Sequence, residues 1–336
     1  MKWWRLSLGV VVMALVVGCG ERSATTIWRF ALEEIPGSVQ DRYAQQFKTL
    51  IEAHSGGAIQ VEIYPYGALG SSADITEQVR SGALQFAFAS PGHLGSVVPE
   101  AQIFSLHFLL PEDEQRLQQL LTSSPALYEL LGAAYADHQL SLLAIIAEGW
   151  MVWSGDRPLR TPADFAGFRM RTMVSPLLVE AYRAYGADPT PLPYGEVYSA
   201  LQLGMIDGQV NPIFAIEEMR FYQVQEALTF ANHLPFVTTL ITSPTFLAGL
   251  TPQQQQWISS AKAELDSYIF PLQQQFNRER LAHIESSSEI ALVTLDATER
   301  AQFRQLAQPL HARYRELAGA RGAALLERLQ QEMATP

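Results

Sequence analysis

Residues 164–214 constrain the fold of this chain more than any other stretch. The run DFAGFRMRTMVSPLLVEAYRAYGADPTPLPYGEVYSALQLGMIDGQVNPIF reads as strand, helix, turn, helix, strand. Phe168–Thr172 is short and half apolar, which suits a strand. Ser175 and Pro176 supply an N-cap and a first-turn proline, and Leu178, Val179, Tyr182 and Tyr185 recur at helical spacing. Gly186 sits where a C-cap glycine belongs. A second helix carries Val197, Tyr198 and Leu201 and stops at Gly204, after which Asp207-Gly208 turns the chain into a strand at Gln209–Asn211. Alternation of this kind belongs to an α/β fold, whose open sheets bind ligands at the carboxyl ends of their strands. Arg171 stands at one such end, and its planar fork suits a carboxylate. Asn211 stands at the other and offers both a donor and an acceptor. Spacing alone leaves a second possibility, that Arg169 and Arg171 are the solvated ends of a surface strand.

The flanking sequence repeats the alternation. Ile27–Leu32 reads as a first strand and runs directly into Glu33-Glu34, either a solvated turn or a pair of carboxylates facing a ligand cleft. Ser38 caps a helix with Tyr43, Phe47, Leu50 and Ile51 on one face, ending at Gly56-Gly57. Ile59, Val61 and Ile63 alternate as a half-buried strand, and Ser72 opens a short helix that Gly82 ends. In the strand Leu84–Phe88, Phe86 and Phe88 read as core, and Ser90 follows at its end with a hydroxyl and a backbone N–H to offer. A helix is expected over Glu114–Leu131. Leu140–Ala147 is a fully apolar strand that should be buried on both faces, and Glu148-Gly149-Trp150-Met151 follows it. Thr161-Pro162-Ala163-Asp164 and Thr251-Pro252-Gln253-Gln254 are helix starts of the capping-box type. The second opens a helical pattern to about Ser286 with Pro271 in its middle, where a kink is expected. Thr298–Leu317 and Gly322–Met333 read as two final helices.

The amino terminus and the composition bound the setting. Lys2 and Arg5 precede an apolar run, Leu6–Val17, that is short for a membrane span. It ends Leu15-Val16-Val17-Gly18-Cys19, which resembles a bacterial lipobox; a plain secretory signal with an incidental cysteine is the alternative. Either reading exports the chain. Residues 1–18 are then a signal peptide and 19–26 a tether. An acylated Cys19 would anchor the protein in lipid without spanning the membrane. Cys19 is the single cysteine, so no intrachain disulfide can form. The formal charge of −11 supplies no basic stripe for nucleic acid. Seven histidines are scattered without metal-ligand spacing, and no nucleophile elbow or glycine-rich phosphate loop occurs. No catalytic residue, metal or cofactor is therefore assigned. Turnover, including hydrolysis, is a poor reading, and an exported lipoprotein with a structural or sensory role is the main rival to a binding function.

Four motifs in the organising stretch narrow the choice. Gly167-x-Arg169-x-Arg171, Gly186-Ala187-x-Pro189-Thr190-Pro191, Gly195-Glu196-Val197-Tyr198-x-Ala200-Leu201-Gln202 and Asp207-Gly208-Gln209-x-Asn211-Pro212 resemble those of solute-binding proteins of tripartite ATP-independent periplasmic (TRAP) transporters. The resemblance runs from about Trp28 to the last helix. It implies a periplasmic-binding-protein fold of two lobes, each an open sheet flanked by helices, joined by crossing strands and a long helix spanning both. On that pattern residues 27–148 and 233–270 form the first lobe, 149–232 and 271–336 the second, and 252–286 the long helix. The implied function is capture of a carboxylate-bearing solute in the periplasm and delivery to a membrane permease for ion-coupled uptake. Arg171 matches the family's carboxylate clamp and Asn211 its partner. Glu34 and Ser90 match pocket positions of the first lobe, and Trp150, Tyr194 and Phe214 are candidate walls. Met151 stands where members that bind sialic-acid-like sugars carry a second arginine. Trp28-Arg29-Phe30-Ala31-x-Glu33-Glu34, Val39-Gln40-Asp41, Ser90-Pro91-Gly92 and Arg171-Thr172-Met173 look most like the branch that includes ectoine receptors. In that branch a glutamate after the first strand meets the positive part of a zwitterion. Tyr194 in place of a tryptophan and Val210 in place of an acidic residue depart from it. An ectoine-like zwitterion, a C4-dicarboxylate and a keto acid all stay open as solutes.

Overall fold

The structure is a computed structural model and describes residues 25–334; the expected signal peptide, Cys19 and most of the expected tether lie outside the described residues. Among the described residues ten strands form two sheets that share one strand: β1 (Thr26–Ala31), β2 (Ile59–Tyr64), β3 (Phe86–Ala89), β4 (Ser141–Gly155), β5 (Arg169–Thr172), β6 (Asp188–Pro191), β7 (Gly208–Pro212), β8 (Ala227–Phe230), β9 (Pro235–Thr242) and β10 (Ala291–Thr294). The main path runs β2-β1-β3-β9-β4-β7-β5-β6, with β8 joined to β4 and β10 to β8. β1 is parallel to β2 and β3, and β5 is parallel to β6 and β7, while β9, β7 and β8 run antiparallel to β4. The fold is thus α/β, as the alternation predicts, with the two lobes that the family resemblance implies.

β4 is the strand that makes two lobes one molecule. Its first part pairs with β9 and its second with β7 and β8. The pairing slips between Ala147 and Gly149, at the crossing, and Gly149 adopts φ +139°. Side chains rarely tolerate that conformation, and a Cβ there would also meet Asn277 Nδ2 at 2.6 Å. Asn277 belongs to the long helix Pro252–Ser287 and donates to Glu148 O (2.8 Å), tying the helix to the crossing. Thr251 caps that helix with Gln254 in a reciprocal pair, as expected. Ile258, Leu265 and Phe276 sit in the first-lobe core with Trp28, Tyr43 and Phe47, whereas Ile284 lies in the second-lobe core with Val152 and Ile216.

Several elements differ from the sequence reading, each for a local reason. The helix expected over Glu114–Leu131 breaks at Ser124, which is extended (ψ 117°) because Pro125 disfavours a helical predecessor. β6 is a strand that the pattern did not predict. It holds Pro189 and Pro191, which an edge strand tolerates because its outer N–H groups need no partner. Ser175 occupies the N-cap of helix Pro176–Ala184 without capping it. Gln102, from the other lobe, does so instead: its Oε1 accepts the Leu177 N–H (2.9 Å) and the Ser175 hydroxyl (3.1 Å). The final helices are Ala297–Ala307 and Leu310–Ala334, the latter interrupted at Gly319. The expected division puts residues 271–336 with the second lobe, yet the last helix buries Tyr314, Leu325 and Leu329 among first-lobe residues such as Leu127 and Leu131. An amphipathic pattern specifies that a face is buried, not which sheet covers it.

Candidate functional site

The carboxyl ends of β1, β3, β5 and β7 converge on one cleft, and the residues just past them line a cavity of about 460 Å³. β5 delivers Arg171. Arg169 and Arg171 share a face of the strand, two residues apart. Their positions along it separate them: Arg169 is exposed at the outer end and pairs with Asp207, whereas Arg171 is 1 % exposed beneath the opposite lobe. The solvated-strand reading therefore holds for Arg169 only. Arg171 Nε and Nη2 both donate to Leu192 O (3.0 and 2.7 Å), and Nη1 finds no protein acceptor among the described residues. Burial lowers its pKa to about 10, so it remains charged at neutral pH. A buried guanidinium without a carboxylate beside it carries an uncompensated desolvation cost, which an anionic ligand would offset.

β7 positions Asn211 through a chain of amides. Asn211 Nδ2 donates to Gln209 Oε1, Gln209 Nε2 to Ser154 Oγ (2.9 Å), and Ser154 Oγ to Gln225 Oε1 (2.7 Å). The relay fixes the amide and leaves Asn211 Oδ1 and one N–H for the cavity.

The first lobe contributes carboxylates. Glu33 and Glu34 are 8 % and 5 % exposed, which excludes a solvated turn. Burial pushes Glu33 up, but hydrogen bonds from His93, Ser72 and the Ser90 N–H (2.7 Å to Oε2) outweigh it and hold Glu33 below the usual range. Burial and the neighbouring Glu148 drive Glu34 the other way, well above it. Tyr66, on the loop after β2, reaches across the cleft: its hydroxyl accepts the Gly195 N–H (3.1 Å) and its ring meets Tyr194 edge-on at 5.7 Å.

Of the residues singled out in sequence, Arg171, Asn211, Glu34, Ser90, Tyr194 and Phe214 line this one cavity. Trp150 does not; its half-buried ring packs on the first-lobe core, because the crossing turns that face of β4 away from the cleft. Tyr66, His93, Leu192 and Gln209 were not singled out. Gln209 lay within a quoted motif, but a backbone acceptor such as Leu192 O leaves no trace in side-chain pattern.

The family described as "Bacterial extracellular solute-binding protein, family 7" matches residues 30–317. The chain belongs to this family. It is 39 % identical over 334 residues to the ectoine-binding periplasmic protein TeaA of Halomonas elongata, covering 99 % of this chain and 97 % of that one. A solved structure of that protein superposes with a TM-score of 0.89, covering 92 % of this chain and all of that one at 38 % identity. The ectoine/5-hydroxyectoine-binding periplasmic protein UehA of Ruegeria pomeroyi is 38 % identical, over 97 % of this chain and 96 % of its own. An apo open structure of a TRAP periplasmic solute-binding protein from Marinobacter aquaeolei VT8 is 48 % identical, with a TM-score of 0.86 over 91 % of this chain and 100 % of that one. The chain is thus a solute-binding receptor of the TRAP type. No helix among the described residues is long and apolar enough to cross a membrane.

Proposed function

We propose that this receptor captures a compact zwitterion of the ectoine kind, one carboxylate and one positive group on a small frame, and hands it to a TRAP permease without turning it over. The observation that carries the reading is the Arg171 guanidinium, buried without a counterion in a cavity whose other wall presents the Glu34 side chain. The solute carboxylate sits on the free edge of Arg171 and accepts from Asn211; the positive group faces Glu34; Tyr194 and Phe214 close on the frame. Charge-assisted hydrogen bonds contribute roughly 1.5–3 kcal/mol each. Micromolar binding needs about −8 kcal/mol, so desolvation against the aromatic walls must add to the clamp. Similarity to ectoine-binding relatives supports the same class. A C4-dicarboxylate would set its second carboxylate against Glu33, and a keto acid brings no positive group to meet Glu34, which disfavours both. Calorimetry with ectoine, 5-hydroxyectoine, succinate and pyruvate tests the reading; tighter binding of either anion than of both zwitterions would overturn it. We further propose periplasmic anchoring through an acylated Cys19. Cys19→Ala should move the protein from the membrane to the soluble periplasmic fraction, and an unchanged distribution would refute the anchor.

A further inference from the structure

Behind the Glu34 wall lies a group of acids that solute recognition alone does not explain. Gln40 is its hub: its backbone N–H donates to Glu34 Oε2 (3.2 Å), its Nε2 to Glu148 Oε1 (3.1 Å), and its Oε1 accepts the Glu33 N–H (2.8 Å). Glu148 is 0 % exposed, and its Oε2 finds no donor among the protein groups. Gln40 thus gathers Glu34 and Glu148 out of water in one network. Two ionised carboxylates held there repel each other; a single proton held between them removes the repulsion and satisfies the orphan oxygen. The other cations of the cavity are engaged elsewhere: Arg80, which lines it from the helix Ser72–Arg80, pairs with Glu77 (3.0 Å). Glu218, on the helix Ile213–Glu218, adds a third carboxyl with Oε1 unpartnered, and Arg280 of the long helix acts on Glu218 rather than on the pair. His93 is engaged by Glu33 (3.4 Å), and burial holds the Tyr194 phenol well above its ordinary value. Arg171, the buried cation of the cavity, donates to Leu192 O in the other lobe.

We propose that solute capture in this cleft releases one proton: the empty receptor holds it on Glu34, donated to Glu148, and the positive group of the solute replaces it. The proposal rests on the zwitterion reading above. The Glu34 O–H bond breaks, its electron pair stays on the carboxylate, the proton passes to solvent, and a solute N–H donates in its place. Burial raises Glu148 to about 7, and burial together with Glu148 pushes Glu34 well above the usual carboxylate range, both in the direction of a retained proton. Apparent affinity then rises with pH, by up to about tenfold per unit, and levels off once the empty receptor has lost the proton.

The test is calorimetry with ectoine at pH 7 in buffers of different ionisation enthalpy. About one proton released per solute bound is expected, and release that falls towards zero in Glu148→Gln, whose neutral amide frees Glu34 to ionise. Ectoine binding with a heat independent of buffer overturns the exchange and leaves the zwitterion reading intact. No binding of ectoine at any pH overturns that reading and the exchange with it. Difference infrared spectroscopy of the wild-type chain is independent of how the variant folds. A protonated-carboxyl band in the solute-free protein that ectoine abolishes supports the exchange, and no such band overturns it.

Discussion

The proposed capture of solute turns on Arg171, and two consequences separate a binding role from a structural one. Arg171→Ala should weaken ectoine binding more than a hundredfold by calorimetry, on the order of 3 kcal/mol for two lost charge-assisted bonds. Arg171→Lys should recover little of it, since a point charge cannot reproduce the fork. Neither change should lower the Tm of the empty receptor, because removing an unpaired buried cation also removes its desolvation cost; a large drop would make the arginine a structural strut. Glu218 behaves in the opposite sense. Burial, and then Glu34, raise its pKa to about 9. A carboxyl whose folded pKa exceeds its unfolded one contributes stability at low pH that is lost as pH climbs towards the folded value. The Tm of the wild type should therefore fall between about pH 5 and 9 more steeply than that of Glu218→Gln; parallel curves would refute it. At this scale the sequence pointed to Arg171 as a strand-end arginine, and the structure buries it in the cavity, because strand-end position and residue chemistry are both local. It did not disclose the Leu192 carbonyl or the Gln209 relay, which exist only once the register of β5, β6 and β7 is set.

Among the elements, β4 bears most of the architectural load. Gly149→Ala forces a side chain into φ +139° and against Asn277. We expect a loss of about 1–3 kcal/mol, read as a lowered urea midpoint with an unchanged slope. An unaltered midpoint would mean that the crossing tolerates ordinary backbone. The same strand shows what element-level reading can and cannot do. Leu140–Ala147 is legible as a strand from its apolar run, and the onset of the crossing is marked at Glu148-Gly149. Nothing in the pattern says that one strand continues through it to Gly155. β6 and β10 escaped notice because each is short, and β6 contains prolines that argue against a strand wherever its edge position is unknown. Trp150 was misplaced for a related reason: its neighbours in sequence do not reveal which way a bent strand turns its faces.

For the molecule as a whole, the cleft is a contact surface as well as a pocket. Tyr66 and Gly195 join the lobes across it. Tyr66→Phe keeps the ring against Tyr194 and removes the acceptor of the Gly195 N–H, a bond worth about 1 kcal/mol. Stopped-flow displacement should show solute release several-fold faster with association little changed; equal release rates would mean that the bond does not hold the closed form. The two-lobed plan was readable from strand–helix alternation together with family motifs. The placement of the last helix was not, since burial pattern names no partner. The long helix carries a mechanical implication. Because its side chains are embedded in both cores, the halves cannot separate as a clamshell on a free pivot; the shared rod must flex. Pro271 removes one rung of its hydrogen-bond ladder within about two turns of Asn277, beside the bend at Gly149. Compliance is thereby gathered into one small region, and the rest of each half can move as a stiff body around it.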